Sequence, residues 1–413
     1  MSTVLPTYAE RNAAYWERNL AVCVFGSFTT AVSLSMLLPF LPIYVEQLGV
    51  TGTDAIVQWS SFAFSATFLG TALTAPVWGR MADRYGRKAM LVRAAVGMTI
   101  VMSLIGCATS AWALVVLRLI AGLVGGYASA SIVMIGSQAP HHKAGWALGV
   151  LSTGALCGNL IGPLVGGFLP DWVGIRGTFF MGGGLIAIAA IASIVLVRED
   201  FSRKPRIEGH VVSATIKRHD ILPVGTLLLT AAMVLFASVS IEPIITVYIH
   251  ALGIEQARLA RYAGIIMSAT AFASMLAAPR LGALADRVGG WRVILGCLVV
   301  TGLFLLPQAW VTNWWELCGL RFLMGLSIAG LLPAIGKLIR GYASDRSSGS
   351  LLGILQSAQF AGYVLGPLTG GQVGARFGFG HVFYVTAALM FISAGLVWFC
   401  LPRGHSATQP LQS

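Results

Sequence analysis

The sequence predicts an all-α membrane protein of twelve transmembrane helices arranged as two pseudo-symmetric six-helix bundles. Three observations carry that expectation. The 413 residues are 56% hydrophobic and only 10% charged, where ordinary soluble domains are roughly 25% charged. Apolar runs of about twenty residues recur, each long enough to cross a hydrocarbon core. Landmark residues also repeat at half the chain length. The runs fall near 20–44, 56–79, 89–108, 111–136, 146–170, 177–197, 221–250, 260–284, 291–309, 314–338, 350–374 and 379–401. Each must be helical, because lipid offers the backbone no partner outside the segment itself.

The net charge of +12 would suggest a nucleic-acid partner in a soluble protein, so the distribution of the basic residues decides its meaning. Twenty-one of the 27 fall in the N-terminal tail, the even-numbered turns, the central linker and the C-terminus. Arg176, Arg258, Arg261 and Arg376 fall on the opposite side, and Arg118 and Arg321 fall within helices. The positive-inside rule accounts for this pattern and puts both termini in the cytoplasm; no nucleic-acid role is implied. Residues 1–19 carry Glu10, Arg11, Glu17 and Arg18 without a cleavage pattern, and read as a cytoplasmic tail rather than a signal peptide. Cys23, Cys107, Cys157, Cys297, Cys318 and Cys400 show no metal spacing, so they read as packing residues and no metal or cofactor is expected.

The repeat is the strongest signal. At an offset of 203–204, Pro39, Tyr44 and Gly49 match Pro243, Tyr248 and Gly253. In the same way Gly79, Asp83 and Gly86 match Gly282, Asp286 and Gly289; Arg118 matches Arg321; and Gly162-Pro163 matches Gly366-Pro367. A parallel repeat puts two halves about an axis along the membrane normal, with a substrate site between them near the midplane. The expected organisation is a tail over 1–19, a first bundle over 20–197, a charged cytoplasmic linker over 198–220, a second bundle over 221–401 and a tail over 402–413.

These landmarks resemble the major facilitator superfamily over nearly the whole chain. Gly79-Arg-Met-Ala-Asp83-Arg84-Tyr-Gly86-Arg87-Lys88-Ala-Met-Leu91 is similar to its signature loop after the second helix, with Met81 where leucine is usual. Leu38-Pro39-Phe-Leu-Pro42-Ile-Tyr44, Arg118 and the Gly-Pro-rich fifth helix narrow the resemblance to the twelve-helix drug:proton antiporters. The resemblance implies an inner-membrane exporter of small amphipathic compounds driven by protons, working as a monomer in the lipid bilayer. The alternative is a proton-coupled uptake symporter for a sugar or organic acid. The loops carry no paired acids, HExxH or GxSxG, so no enzyme is expected.

Four groups of candidate residues follow. In the signature loop, Asp83 lies among Arg80, Arg84, Arg87 and Lys88, and Gly79 and Gly86 permit a tight turn. The resemblance implies a cytoplasmic gate made of Gly79, Asp83, Arg84, Gly86, Arg87 and Lys88, in which Asp83 meets the positive N-terminal end of the eleventh helix. The other reading is that the bases only serve orientation and bind lipid phosphates. Related transporters place an acid at the end of the fourth helix; here Gln138-Ala-Pro-His141-His142-Lys143 has none.

Gly154, Gly158, Gly162 and Gly166 are spaced four apart in the fifth helix, beside Pro163. They form a small-residue face that lets a neighbouring helix approach to backbone distance, and the resemblance ties this pattern to exporters. Gly362, Gly366, Pro367 and Gly370 repeat it in the eleventh.

Glu242, just before Pro243, is the one acid placed well inside a span, with Arg118 and Arg321 as the intramembrane bases. Such residues are functional candidates by default. A carboxyl alternating between apolar surroundings and a basic partner could load and release a proton; a static pair, a kink role and a solvated position are the alternatives. Arg118 resembles the helix-four arginine that the family assigns to proton transfer. Phe28, Met36, Phe40, Phe236, Met267, Phe360 and Tyr363 are the expected substrate-cavity residues, adaptable surfaces suited to varied substrates.

Overall fold

A computed structural model describes residues 8–140, 142–199, 220–342 and 348–401. The C-terminal tail, nearly all of the 198–220 linker and the first seven residues lie outside them. Sixteen α-helices and no strand occur among the described residues. The first half holds α1 (Tyr8–Ser35), α2 (Leu41–Gln47), α3 (Thr53–Tyr85), α4 (Arg87–Gly106), α5 (Ala111–Val124), α6 (Tyr127–Gln138), α7 (Ala144–Phe168) and α8 (Pro170–Leu196). The second holds α9 (Ile221–Ser240), α10 (Ile245–Ala251), α11 (Leu259–Val288), α12 (Gly290–Leu305), α13 (Trp314–Ile328), α14 (Leu331–Tyr342), α15 (Ser348–Phe377) and α16 (Phe379–Cys400).

Joined across their breaks these make twelve helical paths, and eleven stretches are long and apolar enough to cross a membrane. The exception is α3, expected as an apolar span over 56–79. It runs 33 residues, but Ser60, Ser61, Ser65, Thr67, Thr71 and Thr74 dilute its hydrophobicity. The hydroxyls bond carbonyls: Ser60 donates to Ile56, Thr71 to Thr67 and Thr74 to Gly70 within the helix, and Thr67 to Arg118 on α5. These four hydroxyls are thereby satisfied without water, whereas Ser61 Oγ is buried without a partner.

The repeat holds at the level of atoms. Pro39 and Pro243 each open a one-turn 3-10 segment, Leu38–Phe40 and Glu242–Ile244, because proline cannot donate to the preceding turn. Tyr44 then donates to the carbonyl of Ile105 at 2.6 Å, and Tyr248 to that of Gln308 at 2.7 Å. Ser110 caps α5 by accepting from the Ala113 amide, and Asn313 with Glu316 forms a capping box on α13. The turns α3–α4 and α11–α12 shrink to Gly86 at φ +92° and Gly289 at φ +94°, a conformation glycine adopts without Cβ strain.

Cα packing divides the chain into two compact units, one drawn from Met1–Gly49 and Ala66–Pro205, the other from Val50–Ser65 and Arg206–Ser413. In the first, α1 packs on α7, α8 and α6, and α4 on α8. In the second, α9 packs on α15 and α16, α11 on α13, and α12 on α16. The opening stretch of α3 counts with the second unit, where Ser65 donates to the Val364 carbonyl at 2.9 Å.

Candidate functional site

The site builds from the break after α9. Glu242 is the first residue of that 3-10 turn and is half-buried. Arg321 from α13, only 3% exposed, faces it electrostatically, as does Tyr363 from α15. Three helices of one unit thus bring an acid, a guanidinium and a phenol together in apolar surroundings. The equivalent positions in the first half are Leu38, Arg118 and Asn159. Arg118 is buried at 2% exposure in the first unit, with no acid at position 38. Tyr363, expected as a cavity residue, faces Glu242 electrostatically.

The glycine stripe of α7 faces α1. A Cβ at Gly154 would sit 2.8 Å from the Val24 carbonyl oxygen, and one at Gly158 2.6 Å from that of Phe28. At Gly162 it would overlap Ser35 Oγ, and at Gly166 the Met36 carbonyl. Pro163 lies inside the helix and is buried. Gly362, Gly366 and Gly370 meet Ala232, Phe236 and Ser240 of α9 in the same manner.

Beside this seam, in the first unit, a groove of about 1120 Å³ opens between the starts of α1 and α7. Trp16, Leu20, Phe25 and Phe28 form one wall and Trp146 and Val150 the other, with Glu17, Lys143 and Thr153 as the polar groups. Trp16 and Trp146 meet edge to face at 6.5 Å, and Lys143 Nζ lies 5.6 Å from the Trp16 ring centre. An aromatic wall with a few polar groups is the usual composition of a small-molecule pocket.

Of the expected cavity residues, Phe28 lines this groove. Met36 and Phe40 do not: they are 1% and 0% exposed, Met36 filling the space left by Gly182 and Phe40 packing on Phe179 at 5.5 Å. Both pack in the first unit's core in this structure, next to the proline break. Met267 is likewise buried, in α11, and Phe236 and Phe360 are half-buried in the second unit.

In the signature loop, Gly86 makes the turn but Gly79 does not. The helix runs on to Tyr85, so Gly79 is an ordinary helical residue with open space at its Cβ. The Asp83 side chain lies outside the described residues. Arg84 stacks on Tyr85. Arg87 donates to Ser137 Oγ on α6 at 2.6 Å, which supplies the acceptor where an acid is absent. The Lys88 amide donates to Glu199 at 2.7 Å, and Lys88 Nζ to the Ile194 carbonyl. In the second loop Asp286 pairs with Lys337 of α14.

Two polar arrangements escaped the sequence reading. Asn19 Nδ2 donates to Gln138 Oε1 and to the Arg198 carbonyl, and Asn19 Oδ1 accepts from the Arg198 amide, tying α1, α6 and the exit of α8 together. Arg93, counted there with the cytoplasmic turn, lies inside α4, where it donates to the carbonyls of Val124 and Gly125 at the α5–α6 break. An intrahelical Arg six residues past a loop full of bases carries no signal of its own; the glycine pair Gly125-Gly126 was the available hint.

The architecture and its repeat agree with the comparisons. The family model described as Major Facilitator Superfamily matches residues 23–260 and 227–412. The chain belongs to that superfamily. Among curated relatives, the "Multidrug resistance protein MdtG" of Salmonella paratyphi A is 41% identical over 397 residues, covering 95% of this chain and 98% of its own. That of Enterobacter lignolyticus is 40% identical over 400 residues, covering 96% and 95%. The fold is shared with a bacterial homologue of the human lysosomal transporter Spinster, at a TM-score of 0.77, 15% identity and coverage of 94% and 97%. It is shared also with the nucleoside transporter NupG, at 0.76, 12% identity and coverage of 93% and 100%. The chain is therefore a multi-pass membrane protein of a transporter superfamily.

Proposed function

We propose that this protein exports small amphipathic compounds across a bacterial-type inner membrane in exchange for protons, by alternating access of the two halves. The observation that carries the reading is Glu242, a carboxylate at a helix break that faces Arg321 and Tyr363 inside an apolar unit. An acid inside a membrane bundle costs free energy and is a functional candidate by default, with proton relay among the common roles. The names of the relatives, multidrug resistance proteins at about 40% identity over nearly the full length, support the substrate class, as does the aromatic groove containing Phe28. In this reading Arg118 assists proton transfer, the α7 glycines hold the exporter seam, the loop from Gly79 to Lys88 is the cytoplasmic gate, and both termini face the cytoplasm. The halves, 20–197 and 221–401, are the moving bodies, and the monomer is the working form.

One proton entering down 100 mV supplies about 2.3 kcal/mol, enough for roughly fifty-fold accumulation of a neutral compound. The deciding experiment uses full-length protein in proteoliposomes with an imposed pH gradient, offered tetraphenylphosphonium, ethidium, a neutral dye and a sugar. Gradient-driven movement of the first three but not the sugar is expected. In Glu242→Gln, exchange of labelled compound should persist while gradient-driven accumulation vanishes. Accumulation by Glu242→Gln at the wild-type level rejects Glu242 as the coupling group, and transport of the sugar alone favours the symporter.

A further inference from the structure

The groove between the starts of α1 and α7 carries two opposite charges that no ion pair of the fold uses. Glu17 and Lys143 both line it and both are exposed, yet among the described residues neither side chain forms an ion pair. Lys143 instead holds its ammonium 5.6 Å from the centre of the Trp16 ring. Trp146, 61% exposed, meets Trp16 edge to face and forms the outer wall. One end of the groove thus presents a cation, a carboxylate and two indoles.

Its depth selects the surroundings. Trp16 and Trp146 stand in the first turn of two membrane-spanning stretches, Tyr15–Gln47 and Ala144–Phe168. An even number of crossings separates the two starts, so both lie at one face of the membrane. Tryptophans at the start of a span sit at headgroup level, and a lysine whose stem follows an apolar wall keeps its ammonium there too. Farther along, the walls are Leu20, Val24 and Val150, at the depth of acyl chains. A basic pocket between membrane helices with an apolar continuation is matched to a lipid headgroup and its chain.

We infer that this groove binds a membrane phospholipid whose headgroup carries a phosphate and a primary ammonium. The phosphate accepts from Lys143 Nζ, the ammonium donates to the Glu17 carboxylate, and one acyl chain follows Leu20, Val24 and Val150 inward. A headgroup with a phosphate alone leaves Glu17 unmatched and is repelled by it, and a cationic compound is repelled by Lys143; the two charges together select a zwitterion. The repeat shows that the site is not a general property of the bundle. The second half has Asp220, Ile221, Ser347 and Ser350 where the first has Trp16, Glu17, Lys143 and Trp146. The inference depends neither on Glu242 nor on the direction of transport.

The test uses purified full-length protein, delipidated in detergent and mixed with phosphatidylethanolamine or phosphatidylglycerol of the same chains, with bound lipid counted by native mass spectrometry. The wild type should prefer phosphatidylethanolamine. Lys143→Gln should weaken both lipids about fivefold, the worth of one lysine at a lipid surface, and Glu17→Gln should erase the preference. Arg292→Gln, at an exposed base of the second half, should change neither. A second readout locates the lipid: Cys157 lies in the groove lining, whereas Cys107 is exposed outside it. Phosphatidylethanolamine should slow alkylation of Cys157 relative to Cys107 in the wild type and not in Lys143→Gln. Equal binding by wild type and Lys143→Gln, a preference unchanged in Glu17→Gln, or Cys157 alkylation at an unaltered rate each overturns the lipid site. Slowing by tetraphenylphosphonium but not by the lipid gives the groove to transported compounds alone, which overturns this inference and leaves the proposed function standing. A protein that binds the lipid as described yet moves no compound along a pH gradient fails the proposed function and keeps the site.

Discussion

Arg93 sits over Trp78, its guanidinium carbon 3.5 Å from the ring centre, and the pair closes the break in the fourth span. Where α5 ends, at Val124, glycines at 125 and 126 interrupt the helix, Gly126 at φ +107°. The freed carbonyls of Leu123, Val124 and Gly125 are taken by Trp78 Nε1, Arg93 Nη1 and Arg93 Nη2 at 2.7, 3.0 and 2.9 Å. In the second half the matching break at Gly330 is packed by Leu281 and Cys297, so among the described residues the polar clamp belongs to the first half. Arg93→Met strands two carbonyls where water is scarce, each worth about 1–3 kcal/mol; Trp78→Phe loses one bond and keeps the stacking. Melting of the purified variants should therefore rank wild type above Trp78→Phe above Arg93→Met. An Arg93→Met variant as stable as the wild type means that the break is hydrated and the clamp is ornamental.

The α1–α7 seam predicts a reversal of the usual glycine rule. In an ordinary helix interior, alanine is favoured over glycine by about 1 kcal/mol. At Gly166, however, a Cβ overlaps the Met36 backbone carbonyl, whereas at Gly149, on the same helix, it meets open space. Gly166→Ala forces two backbones apart, an overpacking cost of about 1–3 kcal/mol, and should lower both melting temperature and transport; Gly149→Ala should leave both at or above wild type. Equal effects at the two positions would show that helix propensity, not the seam, governs α7.

What the sequence made legible follows from the range of each signal. Pro39 with Pro243, Gly86 with Gly289, and the glycine stripes act through backbone geometry that the residue itself dictates, so a repeat seen in letters returned as a repeat in atoms. The burial of Met36 and Phe40 was not legible, because which face of a helix turns inward after a proline break depends on the neighbours it meets. Nor was the full Glu242–Arg321–Tyr363 cluster, whose members come from three segments spread over more than a hundred residues. α3 shows a third limit: its hydroxyl content lowered a hydropathy signal while leaving the helix intact, since all but Ser61 of these hydroxyls found a carbonyl nearby.

The paired tyrosines give a test of the repeat's symmetry. Tyr44 and Tyr248 each spend their hydroxyl on one carbonyl in a neighbouring segment, Ile105 and Gln308, and each packs on a phenylalanine, Phe179 and Phe383, at 5.1 and 5.3 Å. Phenylalanine keeps the ring packing and loses the bond, at about 1 kcal/mol plus whatever the bared carbonyl costs. Tyr44→Phe and Tyr248→Phe should lower the melting temperature by similar amounts, and the double variant by close to their sum, since distant sites are usually additive. A strongly unequal pair would mean that one half alone limits unfolding.

The two signature loops should respond differently to the same substitution. Asp286 is committed within its own half to Lys337, an exposed pair with side chains 64% and 49% accessible; breaking such a pair costs at most about 1 kcal/mol. The first half has Val133 where the second has Lys337, so the same pairing cannot form there, and Asp83 is the acid of the gate proposed above. Asp286→Asn should therefore change transport little, and its small effect on stability should fade in high salt. In the proposed reading the Asp83 charge serves the closed cytoplasmic side rather than the fold, so Asp83→Asn should leave the melting temperature near wild type while impairing transport. Spin labels on the cytoplasmic ends of α3 and α15 should then report a shift of the distance distribution toward open, inward-facing states in Asp83→Asn and none in Asp286→Asn. An unchanged distribution with normal transport in Asp83→Asn removes this acid from the gate and leaves the loop's bases to lipid phosphates alone.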